Sequence, residues 1–238
     1  GRPTDLAGDP ANTSVLYTVM FNSAAPGIYR STNTGSNWTK VSDAPTDTLI
    51  SNGTRGMLAV GQTSNVFLAV VGANGRLSAI VRSANGTSGW TDLGFPTTAE
   101  ENGALFGVHP GGQGSIHLSL AADPTDANIV YIGGDRQPYF SEAAPGSGAF
   151  FPNSLGAMDY SGRLFRGDAG QPPASRWAAI THSGAGNNSS PHADSRAMAF
   201  DAAGNLIEGD DGGVYKRNTP RTSTGAWVSL VGDLQVSE

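Results

Sequence analysis

The stretch Ser31-Thr32-Asn33-Thr34-Gly35-Ser36-Asn37-Trp38 reads as a hairpin turn closed by an aromatic ring. The Asn side chain can accept from nearby backbone N–H groups, Gly supplies a positive φ, and the Trp packs over the turn. One such turn says little about a fold, but this one recurs. Ser83-Ala84-Asn85 is followed by Trp90 seven residues after the Ser, without Gly at the expected place. Arg166-Gly167-Asp168-Ala169-Gly170 precedes Trp177 as a lengthened copy, and Arg217-Asn218 precedes Trp227 as a degenerate one. Each of the 4 Trp residues is followed three positions later by an aliphatic residue: Val41, Leu93, Ile180 and Leu230. The Trp spacings are 52, 87 and 50 residues, two single repeats and one repeat with a long insertion.

The segments upstream are in phase with the Trp residues. Val15-Leu16-Tyr17 then Gly27 to Ser31, Val66 to Val70 then Leu77 to Arg82, Ile129 to Ile132 then Tyr139 to Ser141, and Leu206-Ile207 then Gly213 to Arg217 are short apolar runs separated by Asp, Asn or Gly turns. A fourth strand is expected to begin at each Trp. No stretch has helical periodicity, so an all-β chain is expected. A single sheet of this kind cannot bury both faces, whereas radial stacking buries them. The expectation is therefore a β-propeller with four-stranded antiparallel blades over residues 1–50, 51–103, 104–190 and 191–238.

The turn before each Trp resembles the Asp-box (BNR) pattern Ser-x-Asp-x-Gly-x-x-Trp, with Ser31, Asn33, Gly35 and Trp38 closest to it, Ser83, Asn85 and Trp90 next, and Trp177 and Trp227 marking the weaker copies. In that family the box is an outer-rim structural element. The stretch His192 to Asp201 followed by Glu208-Gly209-Asp210-Asp211-Gly212-Gly213-Val214-Tyr215 resembles the sortilin-like and xyloglucanase-like (glycoside hydrolase family 74) group of BNR propellers. The resemblance implies that Asp210 corresponds to a catalytic carboxylate of the xyloglucanase-like enzymes. The Phe-Arg-Ile-Pro signature of sialidases is absent.

Composition narrows the classes. Charged residues are 14%, with 33 Gly, 14 Pro and a formal net charge of −6. Without a basic stripe, nucleic acid is not an expected partner. No Cys is present, which excludes disulfides, thiolate metal sites and thiol catalysis. No apolar run approaches the ~18 residues of a membrane helix. The chain opens at Gly1 without Met, which reads as a trimmed terminus, and the composition suits an extracellular or periplasmic bacterial protein. Sequons such as Asn12-Thr13-Ser14 and Asn85-Gly86-Thr87 matter only in a eukaryotic secretory pathway. Ser229 to Glu238 reads as the lead into a fifth blade. A closed four-bladed ring and the N-terminal part of a six- to seven-bladed ring both remain open; the second is the expectation, with the remaining blades on another chain or segment.

Candidate site residues gather around the fourth repeat. Asp210 could supply one carboxylate of a glycosidase pair, which needs a second acid about 5–10 Å away. The competing reading is an Asp capping its own turn, favoured if Asp135 in Gly133-Gly134-Asp135 holds the equivalent place. His192, Asp194 and Arg196 precede a first strand, where channel-mouth residues belong, and His117 aligns with Ser195 in the preceding repeat. His109 reads as a loop residue. Calcium is the metal that oxygen ligands from Asp168, Asp210 or Asp211 would suit. The insertion from Ser141 to Gly162 carries Phe150, Phe151, Met158 and Tyr160, which either stack on a sugar or pack on the next blade. Two functions follow. One is a saccharide- or peptide-binding module of a larger secreted protein; the other is a glycoside hydrolase using Asp210.

Overall fold

A computed structural model describes residues 1–143 and 150–234. The first sheet is β1 (Arg2–Asp9), β2 (Asn12–Phe21), β3 (Gly27–Ser31) and β4 (Thr39–Lys40). After α1 (Ala44–Ser51) comes the second, β5 (Gly53–Val60), β6 (Val66–Gly72), β7 (Leu77–Ser83) and β8 (Thr91–Asp92). A two-stranded ribbon, β9 (Thr98–Ala99) and β10 (Leu105–Phe106), precedes the third sheet. That sheet is β11 (Ser119–Ala122), β12 (Ile129–Arg136), β13 (Gly162–Asp168) and β14 (Trp177–Ala179). The fourth is β15 (Ala197–Phe200), β16 (Leu206–Asp210), β17 (Gly213–Arg217) and β18 (Trp227–Ser229). All four are up-and-down antiparallel meanders in chain order, the blade of a propeller. Their first strands neighbour one another in sequence: β1 against β5, β5 against β11, β11 against β15.

Side-chain alternation shows how the sheets stack. In β2, Val15, Tyr17, Val19 and Phe21 are buried while Leu16, Thr18 and Met20 on the other face are only half-buried. In β6 every residue is buried: Val66, Leu68 and Val70 join the core shared with the first sheet, and Phe67, Ala69 and Val71 join the core shared with the third. β12 divides likewise, Val130 and Ile132 facing the second sheet and Ile129 and Tyr131 the fourth. β16 returns to one buried face. Two inner sheets covered twice and two outer sheets covered once make an open arc of four blades. The bare face of the first blade exposes Leu6 and Trp38 and carries an apolar hollow of about 780 Å³ lined also by Pro3, Met20 and Tyr29. Val214 and Val228 are exposed on the fourth blade.

The Trp residues fasten neighbouring blades. Trp90 Nε1 donates to Val41 O (2.7 Å), Trp177 Nε1 to Leu93 O (3.4 Å) and Trp227 Nε1 to Ile180 O (2.7 Å). Each acceptor is the aliphatic residue three positions after the preceding Trp, so the spacing seen in the sequence is an inter-blade bond. Trp38 belongs to the first described blade, and its indole has no hydrogen bond among the described residues.

The turns are built as the sequence predicts. Ser31 Oγ donates to Asn33 Oδ1 and accepts from Gly35 N, while Asn33 Oδ1 accepts from Asn37 N, each at 2.9 Å. In the second copy Gly86, one residue earlier than the pattern requires, takes the positive φ and donates to Ser83 Oγ at 3.0 Å.

Three expectations are corrected. The third strand of the third blade is not Tyr139 to Ser141, which run from a loop into a 3-10 turn, but β13, on the far side of the insertion. The chain contains a helix: Asp43 caps α1 by accepting from Thr46 N, Pro45 opens its first turn, and Ile50 seals the first core. Eight residues are too few to show a period, so the cap was the legible signal. The last strand begins at the Trp only in the third and fourth blades, and one residue later in the first two. His109 is a loop residue as expected, and it is buried, accepting from Leu77 N at Nδ1 and donating to His117 O from Nε2. Of the expected fifth-blade lead, Gln235 to Glu238 lie outside the described residues.

Candidate functional site

The candidate residues converge at one end of the seam between the third and fourth blades. The backbone before β15 is stitched to both: Asp194 N donates to Asp135 O, Ser195 N to Gly134 O and Arg196 N to Gly209 O (2.9–3.1 Å). This close approach requires glycine at position 133, where a Cβ would fall 2.5 Å from Ser195 Oγ and 2.6 Å from Ser119 Oγ. Asp194 itself has φ +73°, a strained left-handed conformation that fixes where its carboxylate points.

Register corrects the expected equivalence of the acids. Ser119 pairs with Gly133 and Ala197 with Gly209, so Asp211 is the counterpart of Asp135 and Asp210 that of Gly134. Asp135 is a structural anchor: fully buried, it accepts from Gln113 N and Arg136 N. Asp168 is not brought to the site. It pairs with Ile129 at the start of β12, about 20 Å along the strand from Asp135. Asp211 takes in the fourth blade the place Asp135 takes in the third, so Asp168 and Asp211 lie toward opposite ends of the strands of neighbouring blades and share no metal.

Arg136, Tyr160, His192, Ala193, Asp194, Arg196 and Asp211 line a pocket of about 590 Å³. A second hollow of about 400 Å³ shares Tyr160 and His192 and adds Asp159, Ser161, Ser190, Pro191 and Tyr215. Arg196 Nε donates to Asp211 Oδ1 at 2.5 Å, which holds the Asp211 carboxyl below its usual range. Arg136 makes a two-pronged pair with Glu142 and lies 5.3 Å from the Tyr139 and Tyr160 ring centres. The insertion aromatics pack on one another: Tyr139 lies edge-on to Phe151 and Tyr160, and Phe140 stacks on Phe150. Tyr160 remains 46% exposed at the pocket although Arg136, Tyr139 and Phe151 contact its ring. His117 lies behind the pocket wall, its Nε2 3.6 Å from Asp194 Oδ1.

Asp210 does not line this pocket. Its Oδ1 accepts from Gly212 N at 2.9 Å within its own turn, and Oδ2 is buried. Beside it lies an acid that sequence reading missed. Glu208 is fully buried, two residues along the same face of β16. Burial first, and then the Asp210 carboxyl, push Glu208 up to about 9. Burial likewise raises Asp210, to about 6. The pair therefore holds one proton at neutral pH. The signal was there: Leu206 and Glu208 alternate onto one face, and an acid in an inward place is anomalous.

The fold defines the class, an arc of a β-propeller. The chain is similar in fold to solved glycoside hydrolase family 74 (GH74) structures. With a GH74 enzyme from Niastella koreensis the TM-score is 0.54 at 15% identity, over 93% of this chain and 30% of that one. With the GH74 xyloglucanase of Xanthomonas campestris it is 0.53 at 16%, over 93% and 29%. YCF48 from Cyanidioschyzon merolae gives 0.51 at 12%, over 95% and 55%. The chain thus spans from under a third to about half of these neighbours. No protein-family model and no curated protein matches the sequence.

Proposed function

We propose that this chain is part of a secreted Asp-box propeller of the sortilin-like and xyloglucanase-like superfamily, and that it binds carbohydrate in the pocket between its third and fourth blades. The observation that carries the reading is the pocket wall: an exposed Tyr160 ring beside two guanidinium groups, Arg136 and Arg196, and two carboxylates, Asp194 and Asp211. A sugar offers apolar C–H faces to a ring and hydroxyl pairs to charged donors and acceptors, and a concave site with a few convergent polar groups suits it. The likeness to GH74 structures supports the fold this reading needs. Further blades, on another segment or chain, would cover the bare faces of the first and fourth blades.

Binding is favoured over hydrolysis because Asp210 is bonded to its own turn and stands outside the pocket. Titration calorimetry with xyloglucan and other β-glucan oligosaccharides tests the proposal. Tyr160→Ala is expected to weaken binding about tenfold or more by removing the stacking ring, and Asp210→Asn to leave it within about twofold. Absence of binding to any glycan on an array would overturn the reading. Hydrolysis of β-glucan oligosaccharides that vanishes in Asp210→Asn would replace it with the glycosidase.

A further inference from the structure

Behind the pocket wall lies a group of side chains whose polar atoms are not satisfied by protein. His117 is 5% exposed, and its Nδ1 is buried without a hydrogen-bond partner. Its Nε2 faces Asp194 Oδ1 at 3.6 Å, and that oxygen is also buried and without a hydrogen bond. The separation is too long for a hydrogen bond, which would draw the atoms to about 2.7–3.2 Å. It is close to the ~3.3 Å edge between two ligands that share a tetrahedral ion at about 2.0–2.1 Å. Asp211 completes the group: one ligand atom from each of His117, Asp194 and Asp211 lies within 4.8 Å of the others.

We propose that His117, Asp194 and Asp211 form a site for one divalent transition-metal ion of the zinc type, held across the seam between the third and fourth blades. The three ligands come from the approach to β11, the approach to β15 and the turn just after β16; residues 194–196 are bonded to Gly134, Asp135 and Gly209, and Ser195 Oγ lies 2.7 Å from Ser119 Oγ at the start of β11. The left-handed backbone at Asp194 is the kind of local strain that persists where a carboxylate must be aimed. One imidazole with two carboxylates suits zinc or its borderline neighbours, whereas calcium and magnesium take oxygen alone. Asp194 and Asp211 also line the pocket, so the ion's remaining position faces ligand. Arg196 opposes the cation by holding Asp211 Oδ1, but its side chain is half exposed and Asp211 keeps a second oxygen. The site shares Asp194 and Asp211 with the proposed saccharide pocket, and metal uptake is measured without saccharide, so either reading can fail alone.

The test is metal uptake by the EDTA-treated chain, with Co²⁺ as the absorbance probe and Zn²⁺ as the competitor, followed by calorimetry with Zn²⁺. About one equivalent is expected per chain, with the visible bands of a low-symmetry nitrogen–oxygen site. Asp211→Asn, at the exposed side, and Asp194→Asn should each weaken Zn²⁺ at least about tenfold. Arg196→Gln should tighten it severalfold. His117→Gln should abolish the cobalt bands, with circular dichroism confirming that each variant is folded. No uptake of Zn²⁺ at 100 µM would overturn the proposal. So would one-equivalent uptake that survives both Asp211→Asn and Asp194→Asn, or displacement of Zn²⁺ by equimolar Ca²⁺.

Discussion

Glu208 and His109 make opposite demands on pH, and the windows separate them. His109 is buried and neutral, its affinity for a proton lowered by burial to about 4. Its contribution is present above the ordinary value near 6.5 and is lost as pH falls toward 4, because the unfolded chain then binds the proton that the folded one refuses. Glu208 is raised by burial and by Asp210, so the folded state keeps a proton that the unfolded state releases above about 4.5. Its contribution is present below that value and is lost as pH rises toward about 9. Between pH 6.5 and 9 His109 is silent and Glu208 sets the slope, on the order of 1 kcal/mol per pH unit for a full proton. Glu208→Gln is isosteric and carries no titrating proton. Thermal melts should show Tm of the native chain falling across pH 6.5–9 and that of the variant nearly flat. Parallel slopes would show that Glu208 does not govern alkaline stability.

Among the elements, the indole bonds and the strands were the legible part, because both are periodic. Four Trp residues, each with an aliphatic residue three positions on, needed no structure to be seen; that the aliphatic residue offers its carbonyl to the next Trp did. The site was legible only in pieces. His192, Asp194, Arg196, Asp211 and Tyr160 line one pocket, but residues 117, 194 and 211 meet through packing between sheets, and no local pattern encodes that. Asp168 was misplaced because it closes β13 at the end away from the site, whereas Gly162, at the start of that strand, is the end bonded to Pro191. The helix α1 escaped because its cap, not its period, specifies it. The periodic bond makes a graded prediction. Trp90→Phe removes the donor to Val41 O in a buried seam and should cost about 1–3 kcal/mol in urea unfolding. Trp38→Phe, on the bare face, should cost less than about 0.5 kcal/mol. Equal losses would mean that ring volume, not the bond between blades, sets the effect.

At the scale of the whole molecule, the arc ends in two faces that its own logic leaves uncovered. A propeller blade buries both faces, as β6 and β12 do, yet the first blade presents Leu6, Met20, Tyr29 and Trp38 over about 780 Å³ of hollow, and the fourth presents Val214 and Val228. Apolar surface of this extent marks an interface. The two faces are complementary in kind: one offers an indole N–H whose counterparts each bind a carbonyl of the blade before, the other carries Leu230, the aliphatic residue three positions after the last Trp. The 238-residue chain on its own should therefore associate with itself or bind a hydrophobic dye. Light scattering coupled to size exclusion should show a mass above the 24.4 kDa monomer that rises with concentration. Leu6→Lys on the first face or Val228→Lys on the fourth should each shift it toward the monomer, because a charge placed in either face blocks the same contact from opposite sides. A monomer that binds no dye would mean that the two faces are stable in water as they stand, and that the arc needs no further blades.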